Sequence, residues 1–512
     1  MTTETRIQKN DYLPGFNGRS YEFCNYVDAK NWIGGEWRHA IPMSGEPSTI
    51  PVYNPRHGKV MGNVSLSSPA DIDAAVAAAK AAYAGWRATP IKERVQVLYR
   101  LKALMERDAE EVAWLLSHEN GKVYEQAVGS LNKGIECVEM GCALANMATG
   151  QYLEVSRGIT CRSIFEPIGV CAGIVPFNFS MMVPLWMLPQ ALVAGNTFVL
   201  KPSEQVPYGT MKLAMLLHEA GLPPGVFNIV NGMAPVVEAI CDHPDIKAVG
   251  FVGSTKVANL VYKRSTKAGK RALCLGGAKN HMIVVPDADP SLTAETLVAG
   301  AFGNSGQRCM AATVMVAVGD VQHIIDLLAE QTRVFKVGRD HGAIINPQSV
   351  ERIRSYIDEA ERMGATVLVD GRKAKVQGCR DGFWIGATLL DGVTKEMTAY
   401  REEIFGPVFS IVHVDTLDEA LELENSHPYG NGAGIFTTNG GIARYVVDRL
   451  EAGMCGVNIG VPVPREPFSF AGWNMSKFGH GDMTGEDGFR FWTRPKKVTT
   501  RWSMAEDATW MS

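Results

Sequence analysis

The segment Gly303-Asn304-Ser305-Gly306-Gln307-Arg308-Cys309-Met310-Ala311 holds the residue types best suited to covalent chemistry. Gly303 and Gly306 permit an unusual backbone ahead of Cys309, and Arg308 beside it would favour a thiolate. A free thiol with a pKa of about 8.5 is only slightly ionised at neutral pH, so a neighbouring cation raises its reactivity. The competing reading is a buried structural cysteine, as expected for most of the ten in the chain. A second segment, Pro176-Phe177-Asn178-Phe179, offers an asparagine. Asparagine is common in turns, but its amide can also donate to a developing oxyanion. Lys201-Pro202-Ser203-Glu204 pairs a cation with a carboxylate, an arrangement that can hold ribose hydroxyls or simply solvate a strand end. Gly253-Ser254-Thr255 opens a helix, where free N–H groups suit a phosphate. It is not a GxGxxG motif, and many strand–helix turns share its composition. There is no CxxC pair and no HxxxH pair among eleven histidines, so no metal site is expected.

These segments sit at regular places in an alternating pattern. From Ile168, short apolar runs predict buried strands at 168–175, 197–200, 226–230, 248–252 and 272–275. Helices are predicted between them, at 208–220, 235–241 and 256–267 among others. Such βαβ spacing implies a parallel sheet, which binds ligands at its carboxyl ends. After Gly276 the alternation restarts, with strands predicted at 282–285, 313–318, 408–414, 434–436 and 456–459. Helices are predicted at 292–302, 321–333, 349–363, 417–424 and 442–450, with Ser349 as an N-cap and Gly364 at the end of its helix. Upstream, helices are predicted over 70–86, with Ala74, Ala77, Ala78, Ala81 and Ala82 as its apolar stripe, and over 91–117. The first sixty residues read as an extended arm, and 489–502 as an edge strand in want of a partner. The fold class is therefore α/β, with a Rossmann-like unit and a second α/β unit.

Composition narrows the classes further. At 512 residues the chain is long enough for two to four domains. Lys and Arg total 50 against 54 Asp and Glu, a net charge of −4, which argues against a nucleic-acid partner. A hydrophobic share of 46% excludes disorder as the main state. The longest apolar stretch, 180–200, contains Pro184, Pro189, Gln190, Gly195 and Asn196, so no membrane span is expected. The opening MTTETRIQKNDYLPG lacks an apolar signal core, so a cytoplasmic protein is expected.

Taken together, the segments resemble the aldehyde dehydrogenase superfamily from Tyr26 to Trp502. The matching pieces are PFNF (176–179), GNTFVLKPSE (195–204), GLPPGVFNIV (221–230), FVGST (251–255), GQRC (306–309) and EEIFGPV (402–408). Within it the chain is most similar to the CoA-acylating methylmalonate-semialdehyde dehydrogenases. That likeness rests on KGIECVEMG (133–141), MMVPLWMLP (181–189), GGAKNH (276–281), QRCMA (307–311), NIGVPVP (458–464) and FSFAGW (468–473). The resemblance implies Cys309 as nucleophile and Asn178 as oxyanion donor. It implies NAD contacts from Pro176, Phe177, Lys201, Ser203, Glu204, Gly253, Ser254, Glu403 and Phe405, and coenzyme A as co-substrate. It also implies an NAD-binding domain over 1–147 and 168–276, a catalytic domain over 277–475, and an oligomerisation element over 148–167 and 484–502. A homodimer or homotetramer follows from that element.

Two departures stand out. Hydrolytic members carry a glutamate where this chain has Cys274, so the base for water attack is missing and acyl transfer to CoA is favoured. Cys274 could alternatively form a redox pair with Cys309. The family's two substrate-carboxylate arginines correspond to Arg308 and to Lys133, and a lysine lacks the bidentate fork. The segment 337–344 is also shorter than its family counterpart. The implied activity is NAD-dependent oxidation of malonate or methylmalonate semialdehyde through a Cys309 thioester. The acyl group passes to CoA, giving acetyl-CoA or propionyl-CoA with CO2 and NADH. A hydrolytic dehydrogenase and a catalytically silent member are the alternatives.

Overall fold

The computed structural model describes residues 19–502. The first large sheet has eight strands, and its five central ones are parallel in the order Phe227–Ile229, Thr197–Lys201, Val170–Ile174, Ile246–Val252, Arg271–Leu275. Val170–Ile174, Thr197–Lys201 and Phe227–Ile229 are buried on both faces throughout, and the other two except at Lys247 and Arg271, as the largely apolar runs predict. The chain moves outward in one direction from Val170–Ile174 and then returns to place Ile246–Val252 on its other side. The crevice between the carboxyl ends of those two strands is the switch point where open α/β sheets take ligands. Pro176-Phe177-Asn178 and Gly253-Ser254 are the segments that leave those ends.

The second large sheet has seven strands, with Asn280–Val284 and Ala312–Val318 at its centre, flanked by Val408–Val414 and Gly432–Phe436. The apolar stretch that opens at 180 forms the helix Met182–Ala194, all thirteen residues of which are buried beneath the first sheet. It is a core helix, and among the described residues no helix is long and apolar enough to cross a membrane.

Several sequence expectations are corrected. The arm contains paired strands: Asn31–Ile33 and Glu36–Arg38 extend the first sheet, and Thr49–Asn54 pairs with Lys59–Ser65; its residues 1–18 lie outside the described residues. In the helix Pro69–Ala88 the buried face is Ile72, Ala75, Val76 and Ala79, whereas Ala77 and Ala81 face solvent. Uniform alanine spacing conceals the phase that Ile72, Val76 and Trp86 set. The helix predicted over 91–117 breaks at Asp108 into Ile91–Arg107 and Ala109–Asn120, because the Asp108 carboxylate is drawn to Lys212 and Arg107. A long helix, Tyr124–Met147, follows unpredicted. Asn346, not Ser349, caps Pro347–Arg362, accepting from the Ser349 N–H at 2.8 Å. The C-terminal run divides into the helix Gly485–Phe491 and the strand Thr493–Arg501, which pairs along its length with Ile159–Pro167.

Asn196 ties this last segment to the first sheet. Its carbonyl accepts from the Ile168 and Gly169 N–H groups (2.8 and 3.0 Å), and its amide donates to the Ala191 and Trp492 carbonyls (3.1 and 2.8 Å). Asn196→Ala strands these buried groups, and the expected loss is roughly 3 kcal/mol. A lowered urea midpoint for unfolding checks it; an unchanged midpoint contradicts it.

Candidate functional site

The loop carrying Cys309 enters the strand Ala312–Val318 at its N-terminal end. Ahead of it a 3-10 turn, Gly303–Gly306, places Asn304, Ser305 and Gly306 in the left-handed region with φ of 54°, 57° and 65°. A Cβ on Gly306 would collide with the Gly406 carbonyl, so the close approach of these two chains requires glycine. The unusual backbone expected of the two glycines is present, but Gly303 itself is ordinary, with φ −57°. The turn is held from outside. Ser305 donates to the Gly342 carbonyl (2.8 Å), the Gln307 amide donates to the Ala343 carbonyl (3.2 Å), and Ile345 N–H donates to Gln307 Oε1 (3.1 Å). The shortened segment noted in the sequence is therefore part of the cradle for the loop that carries Cys309.

Asn178 lies across from this loop, its amide donating to the Gln307 carbonyl at 3.0 Å, which leaves a second N–H for the cavity. Its own loop is gripped by the end of the helix Ala109–Asn120 and the residues after it. Asn120 donates to the Phe177 carbonyl (2.9 Å), Lys122 to the Asn178 carbonyl (2.7 Å), and Glu119 accepts from Ser180 (2.6 Å). Sequence reasoning missed this grip. Glu119, Asn120 and Lys122 read as an ordinary helix end, although two charged residues beside a buried helix are a usable signal. Burial raises the Glu119 carboxyl to about 7 and lowers the Lys122 ammonium to about 7, with Arg308 also opposing the Lys122 charge.

Cys309 sits where two cavities meet. One, of about 240 Å³, is lined by Pro176, Phe177, Asn178, Gly253, Ser254, Glu403 and Phe405. The other, of about 390 Å³, is walled by Phe179, Met182, Trp186, Val461, Val463 and Phe470, with Arg308 and Lys133 as its cations. Arg308 has no hydrogen-bond or ion-pair partner among the described residues, whereas Lys133 is engaged by Glu136 (3.0 Å) and the Pro464 carbonyl (3.2 Å). Glu403 accepts from the Ala278 N–H at 3.1 Å, and Phe405, with φ 53°, meets Phe177 edge-on at 5.7 Å. Ser254 is the N-cap of Thr255–Lys267 and makes no side-chain cap, so the helix N–H groups beside the first cavity lack that partner. Lys201, Ser203 and Glu204 stand at the same sheet edge but do not line this cavity; Lys201 is bonded to Glu204 at 3.0 Å.

Two expectations about sulfur are corrected. Burial and the nearby Glu403 carboxylate push the Cys309 thiol up to about 12, outweighing Arg308 and the Cys309 and Met310 N–H groups that face it. Burial also lowers the Arg308 guanidinium to about 10, which leaves it charged at neutral pH, but its pull on the thiol is smaller than the effect of burial. Cys274 is buried in the core of the first sheet with Phe251 and Val249, lines neither cavity, and is a free thiol like Cys309. The proposed redox pair therefore has no structural support.

The sequence profile of the aldehyde dehydrogenase family matches residues 43–498. The chain belongs to the aldehyde dehydrogenase family. It is 46% identical over 460 residues to the malonate-semialdehyde dehydrogenase of Pseudomonas aeruginosa, covering 88% of this chain and 93% of that protein. It is 42% identical to the acylating, mitochondrial methylmalonate-semialdehyde/malonate-semialdehyde dehydrogenase of Homo sapiens, covering 94% of this chain and 90% of that one. The methylmalonate-semialdehyde dehydrogenase structure from Oceanimonas doudoroffii superposes with a TM-score of 0.91 at 44% identity, over 94% of this chain and 99% of that one. A Sinorhizobium meliloti structure complexed with NAD superposes at 0.92 with 41% identity, over 95% of this chain and all of that one.

In this aldehyde dehydrogenase, the buried thiol sets a pH expectation. Without cofactor, alkylation of Cys309 by iodoacetamide should rise about tenfold per pH unit from 7 to 9.5, because the thiolate fraction does so below the pKa. Glu403→Gln should speed it several-fold. A plateau near pH 8 contradicts the first, and labelling unchanged by Glu403→Gln contradicts the second.

Proposed function

We propose that the chain oxidises malonate or methylmalonate semialdehyde with NAD and transfers the acyl group to coenzyme A. The carrying observation is the position of Cys309 between an apolar cavity that ends at Arg308 and a crevice at the switch point of the first sheet. The crevice fits a dinucleotide by its own chemistry. The helix N-terminus at Ser254 suits the pyrophosphate, and the Lys201–Glu204 pair with Ser203 suits the adenosine ribose. A carboxylate there disfavours a 2′-phosphate. Pro176, Phe177 and Gly253 would wall the site, with Glu403 and Phe405 at its nicotinamide end. When bound, NAD supplies the hydride acceptor.

Cys309 gives up its proton to solvent, Sγ forms a bond to the aldehyde carbon as the C=O pair moves to oxygen, and the free N–H of Asn178 with the Cys309 N–H holds the resulting oxyanion. Loss of hydride leaves a thioester on Sγ. The CoA thiol then bonds to the acyl carbon, and Sγ leaves as a thiolate. The β-carboxylate leaves as CO2, its bonding pair stays on the α-carbon, and that carbon takes up the proton released by the CoA thiol, giving acetyl-CoA or propionyl-CoA. Arg308 meets the substrate carboxylate. Lys133, already bonded to Glu136, supplies charge at the rim and no bidentate fork.

One observation favours a hydrolytic reading: Glu403 lines the crevice with Cys309, and burial raises it to about 7, a value suited to a general base. Among the described residues no other carboxylate lines the crevice, and Cys274 lies in the core. We divide the chain into an NAD-binding domain (1–147 and 168–276), a catalytic domain (277–475) and an oligomerisation element (148–167 and 484–502). The exposed edge of that element supports a homodimer or homotetramer, and the composition a cytoplasmic location.

Steady-state NADH production with malonate semialdehyde should depend on CoA and yield an acyl-CoA. Equal rates without CoA, with free acid as product, contradict acyl transfer and favour Glu403 as base. Cys309→Ser should abolish turnover, and Asn178→Ala should cost roughly 10²–10³-fold in kcat. Arg308→Ala should raise KM for the semialdehyde but not for NAD.

A further inference from the structure

Two buried asparagines converge on the backbone of Cys309. Asn280, the first residue of the strand Asn280–Val284, donates from Nδ2 to the Cys309 carbonyl (2.9 Å) and to the Ala311 carbonyl (2.7 Å). Its Oδ1 accepts from the Gly432 N–H at 3.1 Å. Asn431, on the neighbouring segment, donates from Nδ2 to the same Cys309 carbonyl at 3.1 Å and lies 2.9 Å from Met310 Sδ. Both are buried, at 1% and 5% exposure, so water does not compete for these bonds. A carbonyl has two lone pairs, and here both are taken by side chains rather than by the strand ladder. Asn280 spends both its N–H groups and its carbonyl in joining the nucleophile loop, its own strand and the segment that carries Asn431.

We propose that Asn280 and Asn431 are paired positioning residues for the nucleophile, holding the Cys309–Met310 peptide so that the Met310 N–H is aimed at Sγ. The peptide unit is planar and trans, so its N–H points opposite to its C=O; fixing the oxygen fixes the direction of the hydrogen. Two donors on the oxygen also polarise the peptide and strengthen its N–H as a donor, because hydrogen bonds in a chain reinforce one another. The Met310 N–H faces the sulfur together with the Cys309 N–H. The pair therefore offsets part of the burial that holds the thiol protonated. Asn178 and Arg308 act on the substrate side of Cys309; this pair acts from behind it, through the backbone.

The assignment rests on Cys309 being the nucleophile, and the test separates the two claims. The rate of iodoacetamide labelling of Cys309 in the cofactor-free full chain is followed by peptide mass spectrometry from pH 7 to 9.5, with the exposed Cys455 as internal control. Asn280→Ala and Asn431→Leu are each expected to slow Cys309 about tenfold at every pH, displacing the log rate by about one pH unit, with Cys455 unchanged. Asn431→Gln, which keeps the amide, should recover most of the loss. The sign is decisive: a merely structural role would loosen the loop, expose the sulfur and speed labelling. Unchanged or faster labelling of Cys309 in the Asn431 variant overturns the proposal, whatever the fate of the Asn280 variant. Turnover retained by Cys309→Ser overturns the nucleophile itself, and the positioning role with it.

Discussion

Three consecutive residues ahead of Cys309 hold φ angles between 54° and 65°, and two of them are not glycine. A left-handed backbone costs an ordinary residue about 1–2 kcal/mol, so such a turn persists only where its surroundings hold it. Here the surroundings are unusually complete. Ser305 and Gln307 are bonded to the 342–345 segment, Gly306 is wedged against Gly406, and Asn280 and Asn431 take the Cys309 carbonyl. The Ala343 N–H is in turn bonded to the Gly121 carbonyl, beside the Asn120 and Lys122 side chains that grip the loop of Asn178. One connected set of bonds thus fixes both halves of the proposed acyl-transfer centre relative to each other.

The two large sheets present opposite strand ends to this centre. The first sheet offers its carboxyl ends to the crevice, as parallel sheets do. The second offers the N-terminal ends of its strands: Cys309 precedes Ala312–Val318, Phe405 precedes Val408–Val414, and Asn431 precedes Gly432–Phe436. The apolar runs made the central strands of both sheets legible in the sequence, and the switch-point rule located Asn178 and Ser254. No equivalent rule locates residues before strands, so Glu403 and Phe405 were reachable only through the family resemblance. Asn280 and Asn431 were not reachable at all, since an asparagine at a strand's start reads as a turn. The helix Tyr124–Met147, which carries Lys133, was lost for another reason: its small and polar residues are buried against neighbouring helices rather than arranged on one apolar face. The phase of Pro69–Ala88 was misread because alanines at every position leave only Ile72, Val76 and Trp86 to set it.

Electrostatics sharpened the sequence reading in a different way. The sequence places Arg308 next to Cys309, and adjacency suggests activation. In the folded chain burial raises the thiol, Glu403 adds to the effect, and together they outweigh the Arg308 charge. The free chain thus holds a protonated, poorly reactive sulfur. In the proposed reaction, activation falls to groups at hydrogen-bond distance, the Cys309 and Met310 N–H groups among them. A protonated resting thiol is protected from alkylation and oxidation. Cys274 matters only for the carboxylate it displaces; its own sulfur is core.

The central claim is that an acyl group is carried on Cys309 and waits there for a thiol acceptor. The most direct measurement is the mass of the intact protein after reaction with malonate semialdehyde and NAD in the absence of CoA. A covalent acyl adduct that peptide mapping places on Cys309, and that CoA discharges, is the result this account requires. No adduct, or one on another residue while NADH is still formed, would contradict it.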